Sequence, residues 1–292
     1  MPELPEVEAV RRALQPVMER ARFERVLVRR PDLRVRLPRK FAARLEGQTV
    51  QTLGRRGKYL LAELSSGDVL VMHLGMSGSF RVEIDAKGTT PERFDDERSP
   101  GAAHDHVVFR MSAGATITFN DPRRFGSIAL VSRKDVQCHR TLGALGPEPL
   151  GPEFDAAVLA RACRGKKTPL KAALSDQRVL AGLGNIYVCE ALHRARLSPR
   201  RRAGSIATST GAPRASARRL VTAIKKVMND AIRRATAPQE NRPDGRGAAD
   251  LPNRFRVYDR DGRRCLTARC TGTIRRIVQA GRSTFFCPLC QR

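Results

Sequence analysis

The chain has 292 residues, 41% of them hydrophobic, enough for one large or two ordinary domains with apolar cores. Fifty-five Lys and Arg against 29 Asp and Glu give a formal charge of +26, far more than solubility requires, and point to a polyanionic partner. The longest apolar runs, such as Val69 to Leu74, are too short to span a bilayer; nucleic acid is therefore the favoured polyanion, with a membrane surface as the weaker rival.

At the amino terminus, Val7, Val10 and Leu14 recur at helical spacing between Pro5, suited to a first turn, and Pro16, suited to a stop; a short helix is predicted over Pro5 to Gln15. Pro2, Glu3, Pro5, Glu6 and Glu8 stand where a secretory signal would need basic and apolar stretches, so the protein is expected in the cytoplasm. From there to about Val131 the texture is that of short strands: Val26 to Val28, Thr49 to Leu53, Tyr59 to Leu64, Val69 to His73, Phe80 to Ile84, Val107 to Met111, Thr116 to Phe119 and Ile128 to Val131. Eight such runs predict a sandwich or barrel. Asp85 to Asp105, acidic and without periodicity, reads as an exposed insertion with no chemistry.

Beyond Ser132 helical patterns take over, at Phe154 to Cys163, Pro169 to Leu174, Asn185 to Ala195 and Arg214 to Ala235. Pro238 to Pro252 reads as a mobile loop before a small arginine-rich module. The expected organisation is α+β and multidomain: a β-sandwich domain over 1–132, a helical domain over 133–252 and a small C-terminal hairpin module over 253–292.

Seven cysteines, an odd number, suit metal ligation and buried thiols in a reducing compartment better than disulfides. Cys265 and Cys270 precede Cys287 and Cys290, and four thiolates in two pairs can close a tetrahedral structural zinc site with no open position. In so small a module the metal supplies folding energy that a tiny core cannot. The spacing of the first pair, wider than the commoner two residues, predicts a looser half-site. Between the pairs, Thr273 to Phe286 alternates apolar residues with Arg275, Arg276 and Arg282, as in a basic β-hairpin that probes a nucleic-acid groove or backbone.

Pro2 follows the initiator methionine, whose removal exposes a secondary amine. An α-amino group has a pKa of about 7.7 to 8.0, so a useful fraction is neutral and nucleophilic at neutral pH. Attack on a sugar C1′ by such an amine leads to an iminium, and Glu3 can move protons to and from the opening sugar. On its own, the dipeptide reads more readily as a lead-in to the helix.

Several strings, in order from end to end, carry a wider pattern: Pro2-Glu3-Leu4-Pro5-Glu6-Val7-Glu8, Gly54 to Leu60, His73-Leu74-Gly75-Met76-Ser77-Gly78, Asp121-Pro122-Arg123-Arg124-Phe125-Gly126, Asp176-Gln177, Gly182 to Tyr187, and Gly281 to Thr284. Through them nearly the whole chain resembles bacterial formamidopyrimidine-DNA glycosylases.

The resemblance implies a bifunctional DNA glycosylase and AP lyase of base excision repair. Such an enzyme removes oxidised purines (8-oxoguanine, formamidopyrimidines) from duplex DNA through a Schiff base on Pro2, followed by β,δ-elimination. Glu3 is then the proton-transfer residue, Glu6 lies in the lesion site, and Lys58 reaches from a hairpin turn toward phosphate; without the family, Lys58 reads as a solvated turn residue. His73, Asn185 and Arg282 match positions that hold the DNA backbone, although a lone histidine is more often structural. Met76, Arg123 and Phe125 match the trio that fills the gap left by the extruded nucleotide; extrusion costs a few kcal/mol, which restacking side chains offset in part. Outside those strings, Met76 and Phe125 read as ordinary core.

Pro169 to Ala195 resembles the helix-two-turns-helix element, with Gly182 and Gly184 in tight turns, a helix starting near phosphate at Asn185, and Glu190 in a structural role. The expected cofactor is one structural Zn2+ and the expected partner damaged double-stranded DNA, with no redox or nucleotide cofactor and a monomeric state. The endonuclease VIII branch, which favours oxidised pyrimidines, shares Pro2, Glu3 and the hairpin; Leu4 and the Met76, Arg123 and Phe125 trio favour the purine branch. A DNA-binding protein that kept the fold without catalysis is the rival of another class.

Overall fold

The computed structural model describes residues 2–84, 102–237 and 255–292. Backbone packing divides them into two units, Pro2 with Glu6–Gly143 and Glu3–Pro5 with Ala144–Arg292.

Helix α1 (Leu4–Met18) carries Pro16 inside it and so runs past the predicted stop. A proline there removes only its own N–H, and the next turn closes through the Glu19 amide donating to the Gln15 carbonyl at 3.0 Å. Val7, Leu14 and Met18 face the core of the first unit.

All eight predicted strands form, most a residue or two longer than the apolar runs: β1 (Phe23–Val28), β2 (Val50–Arg56), β3 (Tyr59–Leu64), β4 (Asp68–His73), β5 (Ser79–Ile84), β6 (Asp105–Met111), β7 (Ala115–Asn120) and β8 (Ser127–Ser132). They make two four-stranded antiparallel sheets, in the orders β1-β6-β7-β5 and β2-β3-β4-β8. Alternation explains the pairing of faces: along β3, Leu60, Ala62 and Leu64 are buried while Tyr59, Leu61 and Glu63 are less so. The buried faces of both sheets meet in one core, where the rings of Phe23 and Phe109 pack edge-on at 5.5 Å. A short helix α2 (Phe41–Leu45), absent from the sequence reading, tucks Phe41 and Leu45 into that core.

Of the expected insertion, residues 85–101 lie outside the described residues, as does the whole of the expected loop at 238–252. The end of the insertion differs from expectation. Asp105 is buried as the first residue of β6, where it accepts hydrogen bonds from Arg81 at 2.8 Å and Asn120 at 2.7 Å.

In the second unit, α3 (Ala156–Cys163) starts at Asp155, whose carboxylate accepts from the Val158 amide. It packs with α4 (Leu170–Ser175), α5 (Asn185–Arg194) and the long α6 (Ala215–Ala235) around Leu174, Leu183, Leu192, Leu220 and Ile224. Leu4 is fully buried in this cluster. A hairpin of β9 (Arg275–Gln279) and β10 (Arg282–Phe286) follows, turning at Ala280 and Gly281, both with positive φ. Its core joins Val257, Ile274 and Phe285 to three of the four C-terminal cysteines and to Cys189 of α5. Glu190, also on α5, accepts hydrogen bonds from the Arg256, Val257 and Tyr258 amides at 2.9 to 3.0 Å, as expected of a structural carboxylate.

Candidate active site

The sequence-predicted residues fall on both units. Pro2, Glu6, Lys58, His73, Met76, Arg123 and Phe125 belong to the first; Glu3, Asn185, Arg282 and the four cysteines belong to the second.

In the first unit, Lys58 follows Gly57 in the two-residue turn joining β2 to β3, with Gly57 at a φ of +57°. Its side chain is buried, 8% exposed, and not the solvated residue its turn position suggests. The turn is anchored from α1: Glu8 pairs with Arg55 at 3.2 Å, and Arg55 donates to the Gly57 carbonyl at 2.8 Å. Burial alone would raise the Glu8 carboxyl, but the guanidinium groups of Arg11, Arg12 and Arg55 outweigh it and hold it at about 2. This role of Glu8 is not among the sequence expectations, although two arginines at helical spacing from it are a signal of it.

His73 ends β4 and lies against the Tyr59 ring at 4.7 Å. Its Nδ1 accepts from the Gly75 amide at 3.0 Å, so the neutral ring carries its proton on Nε2. Burial, together with Lys58 and Arg34, pushes the imidazole down to about 4 and keeps it neutral at physiological pH.

Met76, Arg123 and Phe125 stand on two loops clamped together by one buried carboxylate. Asp121 accepts from the Ser77 hydroxyl through Oδ1 and from the Gly126 amide through Oδ2 at 2.7 Å. Ser77 Oγ in turn accepts from the Arg123 amide at 3.2 Å. The backbones touch: a Cβ on Gly75 would lie 2.3 Å from the Phe125 carbonyl carbon. Fixed in this way, Met76 (42%) and Phe125 (44%) remain exposed and are not core, and the Arg123 guanidinium lies over the Phe125 ring at 4.8 Å.

In the second unit the decisive group is Glu3. It is 2% exposed, and its carboxylate accepts from the Ile186 amide at 2.9 Å and the Tyr187 amide at 3.4 Å, closing the first turn of α5 from outside the helix. Sequence reading expected this helix start to lie near phosphate; these two amides are engaged by Glu3. The turn before the helix is built for that approach. Gly182, at a φ of +77°, gives its carbonyl to the Leu4 amide at 3.1 Å, and Gln177 staples the turn by accepting from the Gly182 amide and donating to the Leu183 carbonyl. Gly184 has extended backbone open to any residue, so its role is clearance for the Glu3 carboxylate and not a tight turn. Asn185 donates to the Ser283 carbonyl at 2.9 Å and thereby ties α5 to the strand that begins with the exposed Arg282.

The Sγ atoms of Cys265, Cys270, Cys287 and Cys290 all lie within 4.8 Å of one another, with contacts of 3.8 Å (Cys265 and Cys290) and 3.7 Å (Cys270 and Cys287). A tetrahedron with Zn–S bonds of about 2.3 Å places its sulfurs about 3.8 Å apart, so the donor set fits. Gly272 makes room for it, since a Cβ there would fall 2.8 Å from Cys287 Sγ. The wide spacing of Cys265 and Cys270 does not keep these two cysteines out of the cluster.

Three family models cover most of the chain: the formamidopyrimidine-DNA glycosylase N-terminal domain over residues 1–128, the H2TH domain of the same enzymes over 145–240, and a zinc finger found in FPG and IleRS over 268–292. The chain belongs to the formamidopyrimidine-DNA glycosylase family. A formamidopyrimidine-DNA glycosylase of Bradyrhizobium sp. is 59% identical over 293 residues, covering all of both chains. Among solved structures, that of the Thermus thermophilus enzyme is 39% identical with a TM-score of 0.78, covering 99% of this chain and 98% of its own. A mutant of the Lactococcus lactis enzyme, in complex with a DNA containing Fapy-dG, is 29% identical with a TM-score of 0.81 and full coverage of both chains. As in the family, the four cysteines form a structural zinc site.

Proposed function

We propose that this family member removes oxidised purines from duplex DNA by covalent catalysis at Pro2 and then cuts the strand at the resulting site. The observation that carries the reading is the buried carboxylate of Glu3, next in sequence to Pro2 and held in one orientation by two backbone amides. Fixed orientation is what a group needs in order to deliver and take protons within one turnover.

The Pro2 nitrogen, freed of Met1, attacks C1′ and displaces the damaged base. The ring oxygen takes a proton from Glu3 as the sugar opens to the iminium. Loss of a C2′ proton expels the 3′ phosphate; a second elimination expels the 5′ phosphate; water then releases Pro2 and leaves a one-nucleotide gap. Lys58 and Glu6 serve the lesion site. The neutral His73 donates its Nε2 proton to the DNA backbone, and Asn185 and Arg282 also grip phosphate. Met76, Arg123 and Phe125 enter the duplex, Phe125 as a wedge and Arg123 reading the orphaned cytosine. Bound zinc supplies a rigid cross-link for the hairpin. The enzyme acts as a monomer in the cytoplasm, at the nucleoid.

Borohydride trapping on 8-oxoguanine opposite cytosine tests the reading. Wild-type protein forms a covalent adduct; Pro2→Gly and a form retaining Met1 do not. A non-catalytic DNA-binding protein would trap nothing, and preference for thymine glycol would move the assignment to the pyrimidine branch.

A further inference from the structure

Away from the residues given roles above, the second unit carries a dense group of exposed cations. The loop after α3 brings Arg164, Lys166 and Lys167; the segment before α6 brings Arg200 and Arg202; α6 itself brings Arg218. The backbones of the first two segments lie side by side. The Gly204 amide donates to the Lys166 carbonyl at 2.9 Å, the Ala203 amide to the Thr168 carbonyl at 2.8 Å, and the Leu170 amide to the Arg201 carbonyl at 2.7 Å. Gly211 packs against the Arg164 side chain, where a Cβ would lie 3.3 Å from its Cδ.

Among the described residues none of these six cations forms an ion pair with a carboxylate. Asp176, whose carboxyl feels the field of Lys166, is already bound by Arg178 at 2.8 Å. Crowding of like charge extends inward, because burial and the nearby Arg219 hold Arg201 below the usual arginine range. So many uncompensated charges on one surface repel one another and are relieved by a polyanion.

The chemistry of the patch narrows the partner. Along the chain from Arg161 to Arg219 no large apolar side chain is exposed, so these cationic segments carry no apolar anchor of their own for a protein partner; the exposed Val278 lies on the adjoining hairpin. It is also continuous with the hairpin: the Pro199 carbonyl, next to Arg200, accepts from both the Lys171 amide and the Gln279 side chain of β9, and Gln279 pairs with Arg282 across the hairpin. We infer that this surface is a second phosphate-binding track that holds the sugar–phosphate backbone of duplex DNA beyond the lesion. The inference rests on the DNA-glycosylase reading and extends it with residues outside the lesion machinery. Phosphate contacts of this kind carry no sequence information; they set affinity, salt dependence and the residence of the enzyme on undamaged DNA.

The test is a combined Lys166→Gln, Lys167→Gln, Arg200→Gln and Arg202→Gln variant, all at exposed positions. Its binding is compared with wild type on a long undamaged duplex over a range of salt, and on a short duplex covering only the lesion and its neighbours. Each lost phosphate contact lowers the slope of log affinity against log salt by about 0.9, so with four contacts removed the slope on long DNA is expected to fall by about 3.6, with affinity about tenfold weaker or more. Affinity for the short lesion duplex and its single-turnover cutting rate stay at wild-type values. An unchanged slope on long DNA overturns the inference. So does a variant that keeps its DNA slope while losing binding to anionic phospholipid vesicles, which would assign the patch to a membrane surface. Wild-type borohydride trapping, scored separately, decides the lesion-site reading whatever the slope.

Discussion

The Glu3 carboxylate occupies the space that a side chain on Gly184 would need: a Cβ on residue 184 would fall 2.3 Å from Glu3 Cδ and 2.4 Å from its Oε1. Since Gly184 has ordinary extended backbone, an alanine there meets no conformational penalty, and the flexible end of Glu3 is what must move. Gly184→Ala is therefore expected to fold, with a stability loss of about 1 kcal/mol for the lost helix cap. Cleavage should fall by roughly a hundredfold or more, in keeping with the loss of a general acid–base. Single-turnover cutting and thermal melting measured on one preparation check this; full-speed cutting would show that Glu3 need not sit on α5.

Asp121 bridges the Met76 loop and the Arg123 to Gly126 loop with both of its oxygens. An amide in its place offers only one acceptor, so Asp121→Asn leaves the Gly126 amide or the Ser77 hydroxyl unmatched at a fully buried position, costing about 1 to 3 kcal/mol. On the proposed reading the same change blurs the choice of base opposite the lesion. The ratio of cutting opposite cytosine to cutting opposite adenine should narrow, while trapping at a pre-formed abasic site persists.

Glu8 sets an acid limit on the first unit. Its folded-state carboxyl at about 2 lies below the ordinary value of 4.5, so the stabilisation is complete above about pH 4.5 and is lost as pH falls toward 2. The gap corresponds to roughly 3 kcal/mol for this largely buried group. Urea unfolding between pH 6 and 3 should show the loss in wild type and a flatter profile in Glu8→Gln, which starts less stable at neutral pH. Equal pH slopes in the two proteins would contradict the assignment.

Zinc removal should act on DNA binding before it acts on the sandwich. Stripping the metal unfastens the four cysteines and with them the hairpin that carries Arg282. Metal analysis is expected to find one zinc per chain. Chelation should abolish lesion-DNA binding while leaving far-ultraviolet circular dichroism of the strands largely intact.

Much of this architecture was legible in the residues. Short apolar and β-branched runs marked the strands, and helical spacing with Gly and Pro punctuation marked α3 to α6, because both signals are local. What was not legible is long-range or too short to show a period. Helix α2 has five residues and begins after Lys40 in a left-handed conformation, without a capping side chain. The order of strands in the sheets depends on pairings such as β1 with β6, far apart in sequence. The same limit hid the use of the candidate site residues. Glu3 and the amides it meets are 183 and 184 positions apart, and only the glycine at 184 hinted that something large comes close. The burial of Lys58 was hidden too, because a lysine beside a turn glycine is usually solvated.

The Asp121 clamp also bears on how such proteins can diversify. Because Gly75 and Gly126 lie in close backbone contact and share one carboxylate through Ser77, the two loops are a single interchangeable cassette. A chimera that imports one of them from a distant relative inherits half a latch, so specificity at this tip must be inherited, or engineered, in matched sets.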